Sequence, residues 1–313
     1  MEQQIQNILA QDTTKTNKIK QLIQFGLTRK QIAQLVTNGN YGFVQNVYAK
    51  MRAQGLLNHL GTIIAVAATF TRRFGVEFEA YNVPMQTLSD ALNRAGVNCR
   101  VEGYNHRDSE ISWKIVSDGS LTGNNTFELV SPILKGEEGI QELEKVCRVL
   151  NECGAKVNKS CGTHIHMDAQ RMPLQTWKNI YKNYARLEDV IDAFMPASRR
   201  DNAYCHTFKN YTNLEARIDA ARSLDGIASI FHHNRYHKIN PVSYSRHNTC
   251  EFRQHSGTVE FEKISTWVRF LNNLIDYSAS HLISRTTLEG LREFNNEDIV
   301  NYYKTRTNKF AGR

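Results

Sequence analysis

Apolar and polar residues alternate strictly over Arg72-Arg73-Phe74-Gly75-Val76-Glu77-Phe78-Glu79-Ala80, which predicts a strand with Phe74, Val76 and Phe78 on one face. Glu77 and Glu79 share the other face, with Cα atoms roughly 6.5–7 Å apart. Two like charges on one strand face repel, so the pair belongs on a solvated surface or beside a divalent cation. The same period of two recurs at Gly162–Asp168, where His164, His166 and Asp168 share a face, and at Thr249–His255, where Glu251 and Arg253 do. Further strands are predicted near 98–101, 111–117, 126–131 and 236–240, with Asp118-Gly119-Ser120 as a turn.

Helical spacing separates these strands. A helix follows Pro84, with Leu88, Ala91 and Leu92 inside and Gly96 closing it; others cover 136–153, the stretch after Pro173, about 214–231, and the segment carrying Ile264, Trp267 and Leu271. Strand pairs interrupted by helices predict an α+β fold, a mainly antiparallel sheet with helices packed outside.

The first sixty residues read differently. Ile19, Leu22 and Ile23 form a helical face stopped by Gly26; Thr28 and Gln31 form a capping box for a second helix burying Ile32, Leu35 and Val36. After Thr37-Asn38-Gly39-Asn40, a third helix from Tyr41 buries Phe43, Val44, Val47, Tyr48 and Met51 and exposes Gln45, Asn46, Lys50 and Arg52. This is a helix-turn-helix-like all-α module over 1–60, joined through Gly55–Gly61 to a large domain over 61–313. Residues 1–60 carry seven Lys/Arg against two Asp/Glu, out of a net charge of +8 for the whole chain. That bias suits an anionic partner such as DNA, or ordinary solvation; a small packing or protein-docking bundle is the other reading of the module.

Composition excludes other classes. Hydrophobic content of 41% and charged content of 22% are those of a globular protein. The longest apolar run, 62–69, is too short to span a bilayer, and the first residues lack the pattern of a secretory signal, so a cytoplasmic protein is expected. The six cysteines contain no CxxC pair and read as free thiols.

Three half-polar strands in one sheet imply a polar inner face, a funnel in place of a packed core. Paired histidines can converge on a metal or a phosphate. Glu251 beside Arg253 is either a salt bridge or, beside a metal-bound nucleotide, a ligand and a clamp for phosphoryl oxygens. Carboxylates, imidazoles and an arginine together suit magnesium and a triphosphate better than zinc.

Five stretches, in this order, resemble the amidoligases: Phe74-Gly-Val-Glu-Phe-Glu79; Ser117-Asp-Gly-Ser-Leu121 with Phe127-Glu-Leu-Val-Ser-Pro132; Cys161-Gly-Thr-His-Ile-His166; Arg235-Tyr-His-Lys-Ile-Asn240; and Glu251-Phe-Arg-Gln-His-Ser-Gly-Thr258. These enzymes are similar to the carboxylate–amine ligases that include glutamine synthetase and glutamate–cysteine ligase. The resemblance covers about 70–285. It implies a glutamine synthetase-like β-funnel in which ATP phosphorylates a small-molecule or peptide carboxylate and an amine displaces the phosphate. It further implies Mg²⁺ or Mn²⁺ on Glu77, Glu79, Glu128, His164 and Glu251, and nucleotide contacts from His166, Lys238, Arg199, Arg200 and Arg253. Arg253 would stabilise the transferring phosphoryl group, and Asp118 or His255 would take the amine proton. Glu102 or Glu110 would be a further carboxylate, although both read more as surface residues. Two other functions fit the same residues: a guanidino or carboxylate kinase on the same fold, and a DNA-binding protein with a ligand-sensing large domain.

Overall fold

A computed structural model describes residues 2–24, 27–53, 70–103 and 111–311. The chain divides into two compact units, Met1–Thr69 and Phe70–Arg313. Gly26, the Gly55–Gly61 junction, the 60/61 boundary and Glu110 lie outside the described residues.

The first unit holds four helices: α1 (Glu2–Ala10), α2 (Lys15–Gln24), α3 (Arg29–Thr37) and α4 (Tyr41–Ala53). Sequence periodicity misses α1, whose apolar face is little more than one turn long. Ile8, Ile19, Leu22, Ile32, Val44, Val47 and Met51 close a core of their own. Thr28 caps α3 as expected, with Gln31 completing the capping box. Leu35 and Phe43 are corrections: both are about 40% exposed (43% and 40%), because Ile32/Ala33 and Val44/Val47/Met51 define stripes that leave them on the flanks.

The second unit is α+β, an open and mostly antiparallel sheet with many helices. Its strands are β1 (Arg73–Ala80), β2 (Cys99–Val101), β3 (Trp113–Val116), β4 (Phe127–Val130), β5 (Leu134–Lys135), β6 (Gly162–Asp168), β7 (Ile239–Asn240) and β8 (Thr249–Ser256). The order is β2-β3-β4-β1-β6-β8-β7, with β5 also on β1; among these described strands only the β2–β3 pairing is parallel.

Nine helices of this unit are described: α5 (Met85–Arg94), α6 (Gly136–Glu152), α7 (Leu174–Arg186), α8 (Glu188–Ala193), α9 (Leu214–Ala220), α10 (Leu224–Ile230), α11 (Ser243–His247), α12 (Phe261–Ser278) and α13 (Glu297–Ala311). Phe74, Val76, Phe78, Ile165 and Met167 share one core with Leu143 and Val146 of α6 and Leu271 of α12. Each such large apolar side chain contributes roughly 1.5–3 kcal/mol on burial, which anchors the sheet by its apolar face. The other face of the central strands carries the polar residues.

Two long helices expected from periodicity are each split. Leu187 separates α7 from α8, and Ala221–Ser223 separates α9 from α10, where Ser223 accepts a hydrogen bond from Gly226 N at 3.0 Å. The strand expected over 236–240 narrows to Ile239–Asn240. No helix among the described residues is long and apolar enough to cross a membrane. All six cysteines are free.

Candidate active site

Ladder register brings the polar positions together. Glu77 faces His164 and Glu79 faces Glu128 across β1, while His166 faces Glu251 across β6 and β8. Period-two alternation then aims these side chains into one cavity of about 570 Å³.

Glu77 lies between the two histidines. Its Oε2 is 2.8 Å from His164 Nδ1 and its Oε1 3.2 Å from His166 Nε2. His164 Nε2 is 3.5 Å from Glu79 Oε1, so one imidazole stands between two carboxylates. Glu79 Oε2 accepts from the backbone N–H of Gly162 at 2.5 Å. On the far side, His166 Nδ1 lies 2.9 Å from Thr249 Oγ1. Glu251 accepts from Asn240 Nδ2 and from Arg253, each at 2.6 Å.

These contacts set the charges. Burial alone would raise the Glu77 carboxyl, but the charge of His166 and the hydrogen bonds of both imidazoles hold it well below the usual range. Glu251 behaves alike: burial works against its charge, yet Arg253 and His166 bring it down to about 2. His166 is raised, because Glu251 and Glu77 outweigh its burial. Glu128 is the contrary case. Burial, then the charges of Glu77, Glu79 and Asp118, push it well above the carboxylate range.

Two groups of donors are close enough to share a cation: Glu77, His164 and Glu251, and Glu79, Glu128 and His164, each with donor atoms within 4.8 Å of one another. Carboxylate oxygens with one imidazole and no thiolate match Mg²⁺ or Mn²⁺ in donor chemistry. The crowding at Glu128 is the repulsion that a cation would relieve. The residues therefore fit the group.

The cavity also presents cations. Arg253 is only 4% exposed, and its Nε, like Arg235 Nε, is buried without a hydrogen-bond partner among the described residues. Buried guanidinium N–H groups left unpaired are costly and suit an anionic ligand. Tyr236 lies under both guanidinium groups, 5.6 Å from Arg235 and 5.7 Å from Arg253.

The remaining expected residues divide. Arg199 lines the cavity, but its guanidinium donates to the backbone carbonyls of Arg253 and Gln254. It occupies the space where a side chain on Gly162 would go: a Cβ there would meet Arg199 Nη2 at 2.9 Å and His164 Nε2 at 3.1 Å. Asp118 lines the cavity while its carboxylate binds the N–H and hydroxyl of Ser120, both at 2.7 Å.

Three residues are corrections. Lys238 is fully buried behind the sheet, its Nζ 2.6 Å from both Glu188 and Asp192. Arg200 is outside the cavity lining and donates to Met195 O. His255 also lies outside it. Thr163 faces His255 while Ile165 faces Phe252, so β8 slips by one residue against β6 and its alternation breaks. The His255 ring ends 5.6 Å from that of Trp267, and burial together with Arg306 lowers it to about 3. Glu102 pairs with Arg100 and lies outside the cavity lining.

Sequence reasoning passed over Lys114, Arg235 and Arg246, which all line the cavity. Lys114 carries a visible signal: it is a lysine within Trp113-Lys-Ile-Val, an otherwise apolar strand, and it is 4% exposed.

Residues 70–275 match the profile of a family described as "Putative amidoligase enzyme". Among solved structures, one titled "Crystal structure of novel glutamine synthase homolog" is similar at 12% identity and a TM-score of 0.36. The alignment covers 77% of this chain and 65% of that one. No curated protein matches.

Proposed function

Because this chain belongs to the amidoligase family, whose profile matches residues 70–275, we propose that its larger unit is an ATP- and divalent-metal-dependent carboxylate–amine ligase. It joins an acid to an amine through an acyl phosphate. In this reading the polar face of the sheet is a β-funnel of the carboxylate–amine ligase kind. The observation that carries the proposal is the pairing within one cavity of two carboxylate–imidazole groups with buried, incompletely paired guanidinium groups.

Glu77, Glu79, Glu128, His164 and Glu251 are the residues to hold Mg²⁺ or Mn²⁺, which when bound neutralises phosphate charge. The acid's carboxylate oxygen attacks the γ-phosphorus as the bond to the bridging oxygen breaks and ADP leaves. Arg253, fixed by Glu251, supplies N–H donors to the transferring phosphoryl oxygens, with Arg235 and His166 beside it. The amine then attacks the acyl carbon and phosphate departs. Asp118, at the Glu128 side of the cavity, is the group to accept the amine's proton.

The test is a panel of acids and amines incubated with the protein, ATP and Mg²⁺, reading ADP and inorganic phosphate together. A ligase releases both in equal amounts only when acid and amine are present, and hydroxylamine traps the acyl phosphate as a hydroxamate. ADP without free phosphate, with a stable phosphorylated product, would make the protein a kinase of a guanidino or carboxylate group.

A further inference from the structure

The first unit contains features that ligase chemistry does not use. Helices α3 and α4 are joined by three residues, Asn38-Gly39-Asn40. Asn38 takes left-handed values (φ 49, ψ 43) and Gly39 has φ 88, a conformation that suits glycine. The side chain of Asn40 accepts from Phe43 N at 3.1 Å, which starts α4 sharply. Ile19, Leu22 and Ile23 of α2 complete a core with Ile32, Val44 and Val47, so α2 packs on both. Three helices with a short glycine turn before the last are the frame in which that last helix enters a DNA major groove.

The surface chemistry agrees. Between Asp12 and Glu77 the sequence contains no acidic residue, while Lys15, Lys18, Lys20, Arg29, Lys30, Lys50 and Arg52 fall in the helices. Globular surfaces ordinarily mix both signs. A helical unit with a carboxylate-free α2–α4 face is complementary to a polyanion, and phosphate contacts supply most non-specific affinity for DNA. On α4, Phe43, Asn46 and Lys50 are exposed and recur at i, i+3 and i+7, on one stripe. Arg29 is unavailable as a probe of the groove: it bonds Gln45 at 2.7 Å and lies over Tyr48 at 4.5 Å, tying α3 to α4.

We propose that the first unit binds duplex DNA, with α4 in the major groove. Asn46 reads a base edge, with adenine the base its amide suits; Phe43 is placed to meet a thymine methyl, and Lys50 a phosphate or guanine. Exposed Thr28, Lys30 and Gln31 at the start of α3 face the backbone.

The experiment selects full-length protein against a randomised duplex pool, then measures the recovered duplex by fluorescence anisotropy. The expected result is an enriched sequence whose affinity falls steeply between roughly 50 and 200 mM salt. Asn46→Ala should lose on the order of 10-fold for that sequence and relax preference at one base pair. Lys50→Gln should weaken binding and reduce the salt slope. Both variants alter exposed side chains, so circular dichroism and Tm should match the parent. A pool without enrichment, or an enriched duplex that both variants bind like the parent, overturns the proposal and makes the α3–α4 face a protein-docking surface.

Discussion

Glu77 and His164 face each other in register across β1 and β6, with Oε2 2.8 Å from Nδ1. His164 also reaches Glu79, so this pair couples the two donor groups of the cavity. Glu77→Gln should abolish ADP formation, because it removes the charge of a metal donor and replaces one of the two oxygens that meet His164 and His166. Tm without metal should fall modestly, because the histidines that hold the Glu77 carboxyl below its usual range lose their counter-charge, while circular dichroism should show the variant still folded. Calorimetric titration with Mg²⁺-ATP checks the result: the parent binds and the variant does not. Normal turnover by the variant would sink the site assignment.

Arg253→Lys keeps a positive charge beside Glu251 but loses the planar fork. We expect kcat to fall on the order of 10²-fold, with a smaller rise in KM for ATP. Steady-state kinetics decide it. An equal fall in both parameters' ratio through KM alone would mean ground-state binding only.

Lys238 is expected to matter for stability and not for nucleotide affinity. Its ammonium sits wholly inside the protein between Glu188 and Asp192. Removing it leaves buried Glu188 without a counter-charge and Asp192 with Lys209 alone, 3.0 Å away, a loss of about 3–5 kcal/mol. Urea denaturation of Lys238→Met should show that loss, and KM for ATP in the folded variant should stay at the parent value.

His255 should make the protein acid-sensitive. Its imidazole drops from the ordinary 6.5 to about 3 in the fold, so between those values the unfolded chain binds the extra proton. Stability from this group is therefore complete above about pH 6.5 and is lost as pH falls toward 3, at up to about 1.4 kcal/mol per unit. His255→Gln should flatten that decline. Urea midpoints at pH 7 and pH 5, compared between parent and variant, measure the difference.

The strands that carry the site were legible because a period of two is a strong signal and because Glu77, His164 and Glu251 each occupy a polar position of that alternation. The capping box at Thr28 was legible for a local reason: both partners lie within four residues. What stayed hidden depends on distant partners. Nothing near Lys238 in sequence announces Asp192, 46 residues earlier, as its counter-charge. The slip in β8 is set by β6, so nothing within Thr249–His255 itself shows that the ladder turns His255, a candidate for the amine's proton, away from the cavity. Leu35 and Phe43 fit the helical pattern locally, and only the packing of the first unit shows which stripe is covered.

Position 162 shows what a missing side chain can accomplish. The backbone N–H of Gly162 holds Glu79, and the volume beside its Cα admits the Arg199 guanidinium. Gly162 is not among the residues with positive φ, so its dihedrals are not what demands glycine. Arg199 could retreat only by giving up its hydrogen bonds to the Arg253 and Gln254 carbonyls. A side chain at 162 would therefore have to push the end of Arg199 aside, and what it costs is set by those hydrogen bonds. In a saturation library, bulky residues at 162 should be depleted more than alanine, and a compensating change at Arg199 is where rescue should arise.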